Sequence, residues 1–259
     1  MLKSKFFDVR GMLEVIIKNF PNSVEGGKLT REIVHNLATE YGATLKNTLF
    51  GFSTCPDEIN RTVTQFNRHY GGKEFPLGGL TGYPFRGKTG FDAFSHHAPN
   101  DDGKGNLVIL YGPHVGVNYN GELGKIVREG QLHESTACGA AIGFLSKYKE
   151  ARLGGKYYVP KEDFLDREQY VIEKLMIPYA ETILVAENQI KELVDVNYRI
   201  IEDDILKIIG NLTKHFSGSV FLIGGVMINT PPLQPSYFDI RRFERYYEGV
   251  EDLKEKFGV

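Results

Sequence analysis

NTLFGFSTCPDEINR, residues 47–61, opens on a short apolar, β-prone run and closes on a cysteine, a proline and several charged residues. Thr48 to Thr54 reads as a strand. Pro56 suits the first position of a following helix, where its missing N–H costs nothing, and this puts Cys55 at the helix mouth. Similar junctions come further along. LVILYGPHVGV (107–117) holds a continuous apolar run, Leu107 to Tyr111, that ends in Gly112-Pro113-His114. STACGAAIGF (135–144) starts a helix at Cys138 whose small residues imply tight packing. VFLIGGVMI (220–228) supplies a third strand. Strands separated by helical segments predict an α/β fold, with a mainly parallel central sheet flanked by helices. In such sheets ligand sites gather where strands end and helices begin.

The rest of the 259 residues fits one soluble α/β domain. Residues 7–20 place Val9, Met12, Leu13, Ile16, Ile17 and Phe20 at helical spacing, and a second helix is expected with Thr30 as its cap. These N-terminal helices occupy about residues 1–44. Gly71 to Asn106 is glycine-rich and reads as one long irregular loop, of the kind that is usually functional. Residues of about 160–215 form a helical insertion, broken near Pro178 and Gly210. After residue 228 come a proline-rich turn and a charged, aromatic tail.

Composition narrows the function. A formal charge of −2 gives no long-range attraction for nucleic acid or an anionic membrane. No apolar run approaches the roughly 20 residues of a membrane helix. Asp8, Arg10 and Glu14 interrupt the first apolar segment, so it makes a poor secretion signal and a cytoplasmic protein is expected. Two cysteines in that compartment point to metal binding, reactivity or core packing before a disulfide.

Cys55, His114 and Cys138 form a three-ligand zinc set, which keeps a fourth position for water or substrate. The competing reading makes both cysteines small core residues. No C-x-x-C is present, so position at the strand ends carries the metal reading. His133 is the main alternative to His114. Asp57 and Arg61 stand four apart with the acid first, the favourable order for a helical ion pair. Near a zinc thiolate that pair can also orient a reacting water. His96 and His97 in the long loop could line the pocket or pass protons. Residues 82–89, GYPFRGKT, match the phosphate-loop pattern. The preceding GGKEFPLGGLT reads as no strand, and no magnesium-binding aspartate ends a neighbouring strand, which argues against a nucleotide hydrolase.

These motifs together resemble a known family. CPDEINR is similar to the C-x-D-x-R signature of β-carbonic anhydrases, with two extra residues before the arginine. LVILYGPH…CGAA resembles their strand-ending G-H-x-x-C-G-A, but 23 residues separate His114 from Cys138 where that signature has two. This departure, with GGLTGYPF, HHAP, GPHVGV and LIGGVMINTP, resembles the limiting-CO2-inducible B/C proteins over roughly residues 45–232. The resemblance implies a β-carbonic-anhydrase-like fold, zinc on Cys55, His114 and Cys138, and an Asp57–Arg61 dyad. It offers His97 as a rival ligand. It also implies reversible hydration of CO2 to bicarbonate by a homodimer or larger assembly. Two alternatives stay open: a silent zinc-binding member of the fold acting in inorganic-carbon handling, and a dithiol redox protein using Cys55 and Cys138.

Overall fold

The structure, a computed structural model, describes residues 9–99 and 105–259. In chain order it runs through α1 (Arg10–Asn19), β1 (Ser23–Glu25), α2 (Gly26–Tyr41), β2 (Thr48–Ser53) and α3 (Arg61–His69). Then follow β3 (Glu74–Pro76), α4 (Gly87–His96), β4 (Asn106–Tyr111), β5 (His114–Gly116), β6 (Lys125–Ile126) and β7 (Ser135–Thr136). Four helices come next, α5 (Gly139–Leu153), α6 (Arg167–Met176), α7 (Ala180–Val185) and α8 (Gln189–Leu212). The chain ends in β8 (Val220–Asn229), β9 (Tyr237–Tyr246), β10 (Val250–Asp252) and α9 (Leu253–Phe257).

One mixed sheet organises these elements, in the order β1-β9-β8-β4-β2-β3. The run β8-β4-β2-β3 is parallel, with β3 at the edge, and β9 lies antiparallel on the other side of β8. Central strands covered on both faces need apolar residues at every position, not at alternate ones. That is the pattern of LVILY and VFLIGGVMI. Phe50, Val108, Leu110, Phe221 and Ile223 point to one layer, against α2 and α3. Leu49, Leu107, Ile109, Val220 and Leu222 point to the other, against α4 and α8. A third apolar cluster joins Cys55 and Cys138 to α5, α6, α7 and α8.

The sheet splits at the end that matters. After Tyr111 the chain turns at Gly112-Pro113 and resumes as β5, which pairs with β8 further along, His114 opposite Met227. Gly112 makes this possible. Its φ is +138°, and a Cβ there would lie 1.8 Å from the Gly225 carbonyl oxygen, so only glycine lets the two backbones meet.

Several expectations need correction. The long irregular loop contains α4, because Phe91 and Phe94 are fully buried against the sheet. The aromatic tail is the ten-residue strand β9. Thr30 lies inside α2, not before it, and its hydroxyl donates to the Gly26 carbonyl at 2.7 Å. Gly210 does not break α8. Residues 7 and 8 of the expected first helix lie outside the described residues. Among the described residues, no helix is long and apolar enough to cross a membrane.

Candidate metal centre

The three expected ligands come from three separate places and meet. Cys55 follows β2, His114 opens β5, and Cys138 is the N-cap of α5. One ligand atom from each lies within 4.8 Å of the others. The sulfurs are 3.8 Å apart, and all three residues are buried. Parallel strands bring this about. Their C-terminal ends share one edge of the sheet, so residues distant in sequence face a common point.

Their electrostatics differ. Burial is the largest influence on His114 and works against its charged form. The Cys55 sulfur, the Asp57 carboxylate and the Asn229 amide outweigh it and raise the ring's pKa. Cys138 is pulled down, first by its hydrogen bond with Cys55 against the cost of burial, then by the Ala141 and Ala140 amides that open α5. The bond to Cys138, with burial behind it, pushes the Cys55 thiol well up. Cys138 is therefore the sulfur that ionises first, as expected beside free amides at a helix start.

The donor set fits a zinc ion. Two sulfurs and one imidazole are ligands that zinc favours. The His114 Nε2 atom is buried without a hydrogen-bond partner, a costly condition that a bound cation removes.

The Asp57–Arg61 pair does not form. Residues 54–60 make a closed turn, in which the Asn60 side chain donates to the Cys55 carbonyl at 2.8 Å, and α3 begins only at Arg61. Cys55 is thus held by a loop, not by a helix mouth. The Arg61 guanidinium donates instead to the Thr230 and Gln234 carbonyls, both at 2.9 Å. Asp57 pairs with Arg128, through two hydrogen bonds of 2.6 and 3.0 Å. Burial opposes ionisation of Asp57, but Arg128 and the nearby His114 hold its carboxyl below its usual range. Asp57 Oδ2 stands 3.8 Å from His114 Nε2, beside the ligand cluster.

Arg128 sits in the loop between β6 and β7, inside the 23 residues that separate His114 from Cys138. This ribbon fixes the guanidinium from behind, since Arg128 Nε donates to Ser135 Oγ at 3.0 Å. No local pattern marked Arg128, because its partner lies 71 positions away. Asn229 was also missed, although it is the first polar residue after the apolar run 220–228. A groove of about 340 Å³, lined in part by Glu58, Arg61, Arg128 and Thr230, opens beside the pair.

The remaining candidates lie elsewhere. His96 and His97 are exposed at the end of α4, where His97 packs edge-on to Phe75. The following Ala98 touches Gly105, just before β4 begins, so both histidines belong to the opposite end of the sheet. His133 is exposed. The phosphate-loop match is preceded by a short edge strand after all, β3, and α4 follows it. Its backbone amides are already engaged: those of Tyr83, Phe85, Arg86 and Gly87 donate to the carbonyls of Leu80, Tyr83, Leu77 and Pro84. Ser53 Oγ donates to the Gly82 carbonyl at 3.0 Å, and a Cβ on Gly82 would lie 2.4 Å from the Gly112 oxygen. Lys88 faces solvent.

Comparison with known proteins agrees with this architecture. A family described as limiting CO2-inducible proteins B/C β-carbonic anhydrases matches residues 26–247. The chain is similar to the crystal structure of PtLCIB4, a homolog of the limiting CO2-inducible protein LCIB. The identity is 30%, over 93% of this chain and 98% of that one, with a TM-score of 0.82. A histidine-to-alanine mutant of PtLCIB4 gives a TM-score of 0.83 at 29% identity, over 94% and 98% of the two chains. LCIB itself shares the fold, with a TM-score of 0.69 at 22% identity over 92% and 97%. No curated protein sequence matches. A family match over most of the chain settles its membership: this protein belongs to the limiting CO2-inducible B/C family of β-carbonic anhydrases.

Proposed function

We propose that the chain holds one zinc ion through Cys55 Sγ, His114 Nε2 and Cys138 Sγ and hydrates CO2 reversibly to bicarbonate. The observation that carries this reading is the meeting of the three ligand atoms within 4.8 Å, beside a carboxylate clamped by an arginine. Zinc, when bound, would supply Lewis-acid activation of water, lowering its pKa to about 7.

The protein's own residues supply direction. Asp57 stays ionised, so its Oδ2 accepts a hydrogen bond from the attacking water and aims the oxygen's remaining lone pair at CO2. A two-pronged arginine–carboxylate pair is geometrically stiff. Arg128 thereby keeps Asp57 from swinging onto the ligand cluster. Because its carboxyl is held below the usual range, Asp57 orients the proton without retaining it. The proton then passes to solvent. Apolar walls from Ala141, Phe144 and Leu145 keep bulk water away from the sulfurs.

Stopped-flow CO2 hydration on protein of known zinc content tests this. The reading expects turnover that scales with zinc and is lost in Asp57→Ala. Zinc-loaded protein with no turnover would leave the silent zinc-binding reading in its place. A second reading, the dithiol redox protein, draws on the 3.8 Å separation of the sulfurs. It expects no zinc and a thiol count that falls from two to none with oxidant.

The same proposal includes a homodimer or larger assembly. Its support is the segment 155–166, where Tyr157, Val159, Phe164 and Leu165 are between 76% and 98% exposed. Contiguous exposed apolar groups of this kind mark surfaces that another chain covers.

A further inference from the structure

Asn229 closes β8 and is 1% exposed. Its two amide atoms have different partners. Nδ2 donates to the Ile59 carbonyl at 2.7 Å, and Oδ1 lies 2.9 Å from His114 Nδ1. A backbone carbonyl can only accept a hydrogen bond, so the amide nitrogen belongs on the Ile59 side. The oxygen is then left facing the ring, and it too can only accept. His114 Nδ1 must therefore carry the ring proton in the neutral imidazole. That leaves Nε2 with its lone pair bare, which agrees with its being buried and unpartnered.

We infer that Asn229 is a positioning residue for the metal centre. It selects the His114 tautomer that can ligate through Nε2, and the Ile59 carbonyl in turn locks Asn229. This inference rests on the zinc reading given above. Register supports it. Gly116 pairs with Asn229 and His114 with Met227, so the amide reaches the imidazole from the neighbouring strand while both backbones are fixed by the sheet. The next residue, Thr230, holds the other side, because its hydroxyl and carbonyl oxygens both accept from Arg61 Nη2. The Asn229-Thr230 step thus ties the histidine ligand to the loop that carries Cys55 and Asp57. Arg61, set aside as a dyad member, has its place here as an anchor.

A mere brace and a tautomer-setting residue can be separated by two variants. Asn229→Leu removes both hydrogen bonds. Asn229→Asp keeps an acceptor for Nδ1–H but loses the donor to Ile59. The first measurement is nitrogen-15 NMR of histidine in the metal-free, full-length protein, at a pH where the ring is neutral. Wild type and the aspartate variant should show the proton on Nδ1, and the leucine variant should show it wholly or partly on Nε2. The second is zinc affinity by chelator competition. The leucine variant should bind about 10- to 100-fold more weakly, the usual scale for losing a group that orients a ligand. The aspartate variant should stay within a few-fold of wild type. A brace acting only through Ile59 would weaken both variants alike, and that result overturns the inference. So does an Nε2 proton in the wild-type protein, or an unchanged Nδ1 proton in the leucine variant. If wild type takes up no zinc at all, the functional reading fails, while the ring proton still decides the role of Asn229.

Discussion

Two arginines contact the neighbourhood of the 55–61 loop, and their surroundings give them different tasks. Arg128 spends its guanidinium on the Asp57 and Glu58 carboxylates, while Arg61 spends its own on backbone carbonyls and a hydroxyl. Arg128→Ala should therefore leave zinc content unchanged and slow CO2 hydration by roughly 10- to 100-fold. Arg61→Ala should cost about 1–3 kcal/mol of stability, by leaving buried acceptors unpaired, with a smaller effect on turnover. Melting temperature, zinc content and hydration rate on the same preparations check both. Equal loss of turnover in the two variants would show that Arg128 has no special claim on Asp57. The cluster of Cys55, His114 and Cys138 was legible because each stands at the end of an apolar run or the start of a helix, and such positions are local facts. The partner of Asp57 was not, since the four-residue spacing to Arg61 has meaning only if the segment is helical. Asn60, bonded to the Cys55 carbonyl, closes the turn and prevents that.

The central strands could be read from their unbroken apolar character, but β9 could not, and the sheet explains why. Opposite the Gly224/Gly225 step of β8 the register of β9 slips by one residue. The buried alternation of Phe238 and Ile240 therefore changes phase before Phe243. Its charged residues are not a solvated tail. Arg241 binds Asp195 at 2.7 Å, and Arg242 binds Glu202 at 2.8 Å, both on α8. The β6–β7 ribbon escaped notice for another reason: two-residue strands leave no period to detect. At the element scale the most demanding point is the break between β4 and β5. Gly112→Ala puts a methyl group into the Gly225 carbonyl at a positive φ. It should destabilise the protein by more than about 3 kcal/mol, combining a backbone penalty of roughly 1–3 kcal/mol with overpacking of similar size. Urea unfolding measures it, and a loss below about 1 kcal/mol would mean that the strand break tolerates a side chain.

For the whole molecule, the mainly parallel sheet with flanking helices followed from the order of strands and helices, whereas assembly leaves almost no trace in a single chain. Exposure supplies the one pointer to it. If a second copy covers the 155–166 segment, Phe164→Ser combined with Leu165→Ser should shift the mass in solution toward monomer, read by light scattering behind a sizing column. An unchanged mass would remove this segment from the interface. The proposed chemistry depends finally on Cys55, His114 and Cys138 acting together as ligands. The most direct measurement is therefore zinc per chain, by elemental analysis of the purified wild-type protein and of Cys55→Ser and Cys138→Ser. The account predicts about one zinc per wild-type chain and loss of most of it in both variants. Wild-type protein that stays empty after incubation with zinc, or full zinc in both variants, would contradict it.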